Sequence, residues 1–451
     1  MIAISFLGGT REATGSQFLL ETDRAKILID CGLHQGCHFC EGNNLAPFSY
    51  DPAAIDAVVV THAHLDHSGL LPKLVREGFR GRIFATAPTR DFSEILLEDS
   101  AGLIEEEMRG RGKEPPYGPP DVAPTIARFT PLSYREPQEI APGVSIELFD
   151  AGHVLGSASV VAEVGGKRIV FSGDLGNSPM PLLKDRESPD RADYVLIEST
   201  YGDRIHEDRN ERRAKLHEMI GTTIKQKGTL LIPAFAFERT QELLAEMNTL
   251  VESGRIPRIP VFVDSPLAIK ATAIYQRYSS YYNPREQQAI REGDLPFQFP
   301  GLRFTKTVEE SKEINDVPPP KIIIAGSGMM QGGRVLHHAR RYLSDPHSTL
   351  LIVGYQAAGS LGRRLLTHAR RARIFSETVA VRARVRAIGG YSAHADQEGL
   401  LDWLSAIPSR PKKVFPVQGE PAAALALRNE IRDGLGIEAE VPFRGERLAL
   451  E

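Results

Sequence analysis

Residues 61–69 read Thr-His-Ala-His-Leu-Asp-His-Ser-Gly, and this stretch decides the fold. Three histidines and one aspartate fall within six residues, although the whole chain of 451 residues has only 13 histidines. The apolar run before it, residues 55–60, predicts a buried strand. Imidazole nitrogens and carboxylate oxygens are the ligands that zinc prefers outside thiolate sites. The stretch therefore predicts a metal site at a strand end, and the alternative is a solvated polar turn.

The spacing within this stretch indicates two metal positions. Alternation along an extended chain sends His62 and His64 to the same side. Asp66 and His67 follow a bend and can face a second point. One short loop can thus supply ligands to two neighbouring ions.

Composition and charge limit the class of protein. A chain of 451 residues exceeds one simple core and predicts two domains. Its 41% apolar and 25% charged residues are ordinary for a soluble protein, and no apolar run reaches membrane-spanning length, so we expect no membrane partner. The net charge of −4 gives no global signal for nucleic acid. A polyanion would have to bind at a local basic patch.

The cysteine count indicates the compartment. The only three cysteines, Cys31, Cys37 and Cys40, lie within ten residues. An odd number argues against a disulfide framework and predicts a reducing cytoplasm. Cys37 and Cys40 have the C-x-x-C spacing of a metal or redox site, but no second pair accompanies them.

Three further residues at predicted strand ends are candidates for the same site. His153 follows a predicted strand at 144–148, among small residues that permit close backbone approach, as a third nitrogen ligand would. Asp174 follows a predicted strand at 168–171, and its two oxygens could bridge two metals. Asp30, at the end of another predicted strand, could hydrogen-bond a ligand histidine or cap a turn.

The middle of the chain predicts a second domain. Buried strands are predicted at 229–233, 260–264, 321–325 and 350–354, with helices between them. This alternation is typical of a doubly wound parallel sheet. We therefore expect residues 1–204 to begin one domain, residues 205–375 to form an insert, and residues 376–451 to return to the first domain.

The metal loop resembles the metallo-β-lactamase superfamily, and nearly the whole chain resembles its β-CASP branch of RNA-processing nucleases. The motifs that carry the resemblance outside the loop are Glu198-Ser-Thr-Tyr-Gly, Pro233-Ala-Phe-Ala-Phe-Glu-Arg239, Asp264-Ser-Pro, Ala325-Gly-Ser-Gly-Met, Ser392-Ala-His-Ala-Asp and Val417-Gln-Gly-Glu420. The resemblance implies an α/β fold: an αββα metallo-β-lactamase sandwich with an inserted doubly wound β-CASP domain. Fold alone does not fix function, which must be argued from the site.

The resemblance also implies a site and an activity. One zinc would be held by His62, His64 and His153, a second by Asp66 and His67, and Asp174 would bridge them. The implied function is a zinc-dependent ribonuclease that cleaves single-stranded RNA endonucleolytically, with a metal-activated hydroxide as nucleophile and Asp66 in the catalytic set. His394 would protonate the leaving oxygen, and Glu198 would orient it or hold its proton.

Gln418 departs from the family pattern. The family usually has histidine here, in Val-His-Gly-Glu, and that histidine completes the shell of the second metal. Glutamine offers a neutral amide oxygen or no ligand at all, so we expect the second zinc to bind weakly. Because of this departure, an alternative is that the protein is a degenerate family member, which binds RNA or a partner with little or no cleavage. A DNA nuclease is a third alternative.

The insert contains candidate phosphate ligands. Residues 326–333, Gly-Ser-Gly-Met-Met-Gln-Gly-Gly, follow a predicted strand and could offer backbone N–H groups to a phosphate. Ser327, Gly328 and Arg334 are the residues predicted for this role, although a tight turn and a solvated basic face are the alternatives. We expect the insert to clamp an RNA strand, and a homodimer is a further expectation.

Overall fold

The structure, a computed structural model, describes residues 2–35, 41–206, 209–354, 356 and 359–451. The Cys37 and Cys40 pair lies outside these residues. Cys31 is buried as a free thiol. Among the described residues, no helix combines the length and the apolar character needed to cross a membrane.

The strands follow the chain in this order: β1 (Ala3–Gly8), β2 (Gln17–Glu21), β3 (Lys26–Ile29), β4 (Ala57–Val59), β5 (Arg82–Thr86), β6 (Phe129–Leu132), β7 (Gln138–Ala141), β8 (Val144–Asp150), β9 (Ala158–Val164), β10 (Lys167–Phe171), β11 (Tyr194–Glu198), β12 (Thr229–Pro233), β13 (Val261–Asp264), β14 (Leu302–Phe304), β15 (Lys321–Ala325), β16 (Thr349–Ile352), β17 (Arg371–Ile374), β18 (Glu377–Ala380), β19 (Arg384–Ala387), β20 (Lys413–Val417) and β21 (Arg447–Ala449).

The α-helices follow in this order: α1 (Glu41–Leu45), α2 (Leu65–Ser68), α3 (Leu71–Arg76), α4 (Ala87–Gly110), α5 (Val122–Ile126), α6 (Arg209–Gln226), α7 (Arg239–Glu252), α8 (Pro266–Arg277), α9 (Pro284–Arg291), α10 (Val308–Glu313), α11 (Val335–Tyr342), α12 (Leu361–Leu366), α13 (Gln397–Ser405) and α14 (Pro421–Gly434).

The chain divides into two compact units. The first unit comprises residues 1–205 and 393–451, and the second comprises residues 206–392. The first unit has two mixed sheets, with strand orders β21-β1-β2-β3-β4-β5-β6 and β20-β11-β10-β9-β8-β7. Side chains alternate between the two faces of each sheet, and apolar residues lie on both faces, so both must be covered.

Three apolar layers cover those faces. Side chains such as Phe6 and Val160 lie between the two sheets. Leu97 on α4 belongs to the core outside the first sheet, and Trp403 on α13 belongs to the core outside the second. Helix, sheet, sheet and helix therefore stack in four layers, which confirms the predicted αββα sandwich.

The second unit is built on a six-stranded sheet of order β14-β13-β15-β12-β16-β19, in which every neighbouring pair is parallel. Leu231 of β12 shares a core with Val335 of α11, while α6 also packs against β12. Helices therefore accompany a parallel sheet, as the alternating pattern predicts. β12, β15 and α7 have the predicted bounds, and β14 and β19 extend the sheet beyond the four predicted strands.

The return to the first unit comes later than the sequence predicts. The sequence predicts that residues 376–392 belong to the return segment, but β19 pairs in parallel with β16 and therefore completes the sheet of the insert. Arg384 and Arg386 alternate along this strand and are exposed. Backbone pairing, which the side-chain pattern does not reveal, places it in the second unit.

Candidate metal centre

Asp30 and Thr61 fix the start of the histidine loop, directly after β4. Asp30 accepts hydrogen bonds from the backbone N–H and the hydroxyl of Thr61, at 2.8 and 2.9 Å. Its Oδ2 also lies 2.7 Å from Nδ1 of His67. Asp30 is buried and has a positive φ of 61°. These contacts orient the ring of His67 so that Nε2 points away from Asp30.

Four side chains from three strand-end segments converge on one point. Nδ1 of His64 lies 3.0 Å from Nε2 of His62 and 3.3 Å from Nε2 of His153. Oδ2 of Asp174 lies 3.5 Å from Nε2 of His62 and 3.6 Å from Nε2 of His153. These four residues form a group of candidate metal ligands whose donor atoms all lie within 4.8 Å of one another.

This donor set fits a zinc ion. Bonds of about 2.0–2.1 Å in a tetrahedral site place neighbouring donor atoms about 3.3 Å apart, which matches the observed separations. Two imidazole nitrogens that face each other as acceptors at this distance would repel without a cation between them. Three nitrogens and one carboxylate oxygen are also the ligand types that zinc accepts.

Burial favours the metal-binding form of these histidines. His62 and His153 are fully buried, and burial lowers the pKa of both rings well below the usual value. Both rings are therefore neutral at neutral pH. Neutral imidazole is the form that binds a metal.

The second oxygen of Asp174 faces a different set of residues. Oδ1 lies 3.2 Å from Nε2 of His67 and 3.1 Å from Nε2 of Gln418. Nε2 of Gln418 also lies 2.9 Å from Nε2 of His67. Asp174 therefore stands between two clusters, as a bridging residue would.

The described residues contain two groups of candidate metal ligands: the four residues above, and Asp174 with Glu198 and His394. Asp66 belongs to neither group. It lies in the first turn of α2, and burial raises the pKa of its carboxyl group to about 6. The charges of His67, Asp174 and His394 also act on the pKa of this carboxyl group, so Asp66 lies within electrostatic range of the centre. Its role as a ligand of the second metal position stays a prediction.

His394 and Glu198 form a pair beside Asp174. Nδ1 of His394 lies 3.2 Å from Oε1 of Glu198 and 3.8 Å from Oδ2 of Asp174. Glu198 is fully buried, whereas a quarter of the His394 side chain is exposed. Burial lowers the pKa of His394, but the two carboxylates outweigh it and raise this pKa to about 10. The ring therefore holds a proton at neutral pH.

Backbone contacts position this pair. Oε1 of Glu198 accepts a hydrogen bond of 2.6 Å from the N–H of Leu175. The N–H of Ala395 donates to the carbonyl of Leu175 at 2.7 Å, and the N–H of Asn177 donates to the carbonyl of Ala393 at 2.8 Å. His394 is thus held as one residue of a short antiparallel bridge with Gly176.

Arg186 stabilises the site, although the sequence does not predict this role. Its guanidinium donates to the carbonyl of Gly176 at 2.7 Å and to the carbonyl of Gly399 at 2.9 Å. It therefore ties the Asp174 loop to α13, in the first unit. No local sequence signal marks this arginine, because it binds two backbone carbonyl groups. Every residue has such a group, so the sequence does not reveal the pairing.

The phosphate ligands predicted in the insert have structural partners. Oγ of Ser327 accepts hydrogen bonds from the N–H groups of Gln331 and Gly332, as in a closed turn. The guanidinium of Arg334 binds Asp264 at 2.7 Å and the carbonyls of Thr305 and Lys306, each at 3.0 Å. These contacts favour a structural role for Arg334. Backbone packing against Phe235 leaves no room for a side chain at Gly328.

Comparisons with known proteins agree with this fold. Residues 11–220 match the metallo-β-lactamase superfamily, residues 240–365 match the Beta-Casp domain, and residues 378–442 match the Zn-dependent metallo-hydrolase RNA specificity domain. The fold and the clustered ligands thus define the class of metallo-β-lactamase-like metallohydrolases.

Three similar proteins show to which branch of this superfamily the chain belongs. Ribonuclease TTHA0252 from Thermus thermophilus is 43% identical over 93% of this chain and 94% of its own length. An RNase J-like protein from Methanocaldococcus jannaschii is 33% identical over 100% of both chains. Transcription termination factor FttA from Pyrococcus abyssi is 34% identical over 100% of this chain and 71% of its own length. The chain therefore belongs to the β-CASP branch of the metallo-β-lactamase superfamily, as its motifs indicate.

A solved structure shares the fold. The crystal structure of a protein of unknown function from Enterococcus faecalis matches with a TM-score of 0.61 over 100% of both chains, at 13% sequence identity. At this identity the likeness concerns the fold alone.

Proposed function

We propose that this protein is a zinc-dependent ribonuclease that cleaves single-stranded RNA at internal positions. The observation that carries the proposal is the convergence of His62, His64, His153 and Asp174, with His394 beside them. The names of two similar proteins, a ribonuclease and an RNase J-like protein, support RNA as the substrate. The match of residues 378–442 to an RNA specificity domain supports the same substrate.

The four converging residues would hold the zinc ion. When bound, zinc supplies Lewis-acid chemistry at a phosphate and lowers the pKa of water to about 7. His62 and His153 contribute buried neutral nitrogens, and Asp174 contributes a negative charge. Predicted ligands for a second ion are Asp66, His67 and Asp174. Nε2 of His67 lies 3.2 Å from Oδ1 of Asp174, and the carboxyl group of Asp66 interacts electrostatically with both residues.

His394 acts as the proton donor in the proposed reaction. As hydroxide adds to phosphorus, the bond between phosphorus and the 3′ oxygen breaks, and that oxygen needs a proton. Glu198 binds Nδ1 of His394 and stabilises the imidazolium, so Nε2 delivers the proton. The products are a 5′-phosphate and a 3′-hydroxyl. Partial exposure of His394 gives a substrate access to this ring.

Compartment and assembly stay predictions from the sequence. The odd number of cysteines supports a reducing cytoplasm. A homodimer would be seen as twice the chain mass of 49.6 kDa in light scattering.

The test uses matched nucleic acids. A 5′-labelled single-stranded RNA, a DNA of the same sequence and a circular form of the RNA are incubated with the zinc-loaded protein. We expect the RNA to be cut internally, the circle to be linearised and the DNA to stay intact. Binding of RNA without any cleavage would instead favour the degenerate member that Gln418 suggests, and equal cleavage of DNA would favour a DNA nuclease.

A further inference from the structure

Arginine is concentrated in one part of the insert. Residues 334–386 contain eleven arginines, no lysine and two acidic residues, Asp345 and Glu377. The formal charge of this segment is therefore +9, although that of the whole chain is −4. A basic segment within an acidic chain produces a local positive field, which attracts polyanions to that part of the molecule.

Ten of these arginines are exposed. They lie in the last turn of α11, on α12, in and beside the hairpin of β17 and β18, and on the edge strand β19. We call this set the arginine cluster, and its members are Arg340, Arg341, Arg363, Arg364, Arg370, Arg371, Arg373, Arg382, Arg384 and Arg386.

Backbone contacts hold these segments side by side. The N–H of Val381 donates to the carbonyl of Arg370 at 2.9 Å, which closes the base of the hairpin. The N–H of Arg382 donates at 2.8 Å to the carbonyl of Leu343, directly after α11. β19 begins at Arg384, and α12 packs against it. The arginines therefore lie close together within the second unit.

The hairpin separates its arginines from its apolar residues. Ala372 is buried in the core of the second unit, whereas Arg371 and Arg373 on either side of it are exposed. The cross-strand neighbours of these two arginines are Ala380 and Thr378, which carry no charge. Opposite charges on facing positions would stabilise the hairpin, so these arginines are not placed for its stability.

Few of the charges in the cluster are neutralised within the protein. Among the described residues, a carboxylate lies within ion-pair distance of one member alone: Nη1 of Arg340 lies 3.3 Å from Oε1 of Glu377. Both side chains of this pair are about half exposed, so the pair contributes little to stability. The described part of the chain thus leaves most of these guanidinium groups able to bind an external anion.

Protection of a sheet edge explains only part of the cluster. Charged side chains on an edge strand hinder pairing with another sheet, and Arg384 and Arg386 on β19 serve that purpose. Arg340 and Arg363 lie on helices, which have no such edge. Lysine is the residue most used to protect an edge, yet the segment has none. Arginine differs from lysine in binding phosphate through two parallel N–H···O bonds.

We propose that the arginine cluster binds the phosphate backbone of an RNA strand outside the metal centre. The proposal rests on the proposed function for RNA as the substrate. The cluster belongs to the second unit, whereas the candidate metal ligands belong to the first. Contacts with phosphates do not read bases, so the cluster would bind RNA of any sequence and would favour long strands over short ones.

The test compares two variants that lose the same charge. The first variant combines Arg371→Gln, Arg373→Gln, Arg384→Gln and Arg386→Gln. The matched control changes four exposed arginines of the same unit outside the cluster, in Arg255→Gln, Arg258→Gln, Arg285→Gln and Arg303→Gln. Of these, Arg303 lies on β14, at the opposite edge of the sheet from β19. Thermal unfolding checks that both proteins are folded.

Binding is measured by fluorescence anisotropy at several salt concentrations, with EDTA present so that no strand is cut. The probe is a labelled single-stranded RNA of about 30 nucleotides, which exceeds one typical binding site. We expect the first variant to bind roughly tenfold more weakly, with a salt slope lower by about 0.7 for each lost phosphate contact. The control should bind as the wild-type protein does. Equal weakening in both variants, or in neither, would overturn the proposal.

Cleavage by the zinc-loaded proteins separates this proposal from the proposed function. We expect the first variant to have a higher KM for the long RNA, with kcat and the cleavage of a hexanucleotide unchanged. An unchanged KM would count against the cluster. No cleavage by the wild-type protein would contradict the ribonuclease activity but would leave the binding comparison interpretable.

Anionic vesicles test the other polyanionic surface that arginines bind. Vesicles that contain phosphatidylserine are mixed with the wild-type protein and the first variant, and bound protein is measured by sedimentation. We expect neither protein to sediment with the vesicles. Loss of vesicle binding in the first variant, with RNA binding unchanged, would overturn RNA as the partner of the cluster.

Discussion

Asp174 is the residue on which the two halves of the centre meet. It is 4% exposed, so its charge needs close partners. Burial raises the pKa of its carboxyl group, but the neighbouring rings of His67, His394 and His62 outweigh burial and hold this pKa well below its usual range. Its two oxygens face different partners, which lets one buried side chain serve both clusters.

His394 gives the first residue-scale prediction. His394→Ala should lower the rate of RNA cleavage about 10²–10⁴-fold, the usual range for a general acid. His394 also belongs to a second group of candidate ligands, with Asp174 and Glu198. Zinc content should nevertheless stay close to that of the wild-type protein, because His62, His64, His153 and Asp174 all remain. The checks are initial rates on labelled RNA and zinc content by mass spectrometry.

Chemical rescue separates proton donation from a structural role. His394 is partly exposed, so added imidazole can reach its place in His394→Ala. We expect imidazole to restore part of the rate, with no effect on the wild-type protein. Loss of zinc in proportion to loss of activity would show that His394 is a metal ligand.

At the scale of elements, the centre depends on two strand-end segments that touch through glycine. A Cβ on Gly176 would lie 1.9 Å from the carbonyl oxygen of Gly152 and 2.7 Å from the N–H nitrogen of His153. One segment carries His153 and the other carries Asp174. The distance between these two ligands is therefore set by the absence of a side chain at Gly176.

Gly176→Ala should displace these segments. Overpacking of this kind typically costs about 1–3 kcal/mol of stability. We expect a lower melting temperature and weaker zinc binding, measured by thermal unfolding and zinc titration. Gly102→Ala on α4 is the matched control, because nothing lies within 4 Å of a Cβ there and alanine favours a helix. Equal zinc affinity in the two variants would show that the contact at Gly176 does not set the ligand geometry.

Asp264 organises the carboxyl end of β13 in the insert. Its carboxylate accepts hydrogen bonds of 2.7 Å from each of four side chains: Thr305, Ser311, Arg334 and His338. Burial raises the pKa of Asp264, but the hydrogen bonds outweigh burial and lower this pKa below its usual value of 3.8. Because the folded-state pKa is the lower one, the carboxylate stabilises the fold above about pH 4, and this contribution disappears as the pH falls below that value.

Asp264→Asn should therefore lower the melting temperature more at pH 7 than at pH 3. Hydrogen bonds to a charged group contribute about 1.5–3 kcal/mol each, and the amide can satisfy only some of the four donors. Thermal unfolding of both proteins from pH 3 to pH 7 measures the difference. A constant difference over this range would contradict the ionic role of Asp264.

For the whole molecule, the sequence predicts those features that depend on a local pattern of residues. The strands β12 and β15 and the helix α7 follow from apolar runs and periodicity, and the family motifs indicate the sandwich and the insert. The grouping of His62, His64, His153 and Asp174 could be predicted because each follows a strand, and strand ends meet at a sheet edge.

Pairing between distant residues could not be predicted in the same way. The assignment of β19 to the insert depends on its register with β16. The ion pair of Arg334 with Asp264 joins residues 70 positions apart. The sequence does not reveal this pairing and therefore predicts that Arg334 binds a phosphate.

The most direct measurement compares wild-type protein with Asp174→Asn in zinc content and in cleavage of the same single-stranded RNA. The substitution keeps the size of the side chain and removes the negative charge that faces His62 and His153. The structure predicts that folded Asp174→Asn loses its tight zinc and its cleavage of RNA together. A zinc-free Asp174→Asn protein that cleaves RNA at the wild-type rate would contradict the assignment of this cluster as the catalytic centre.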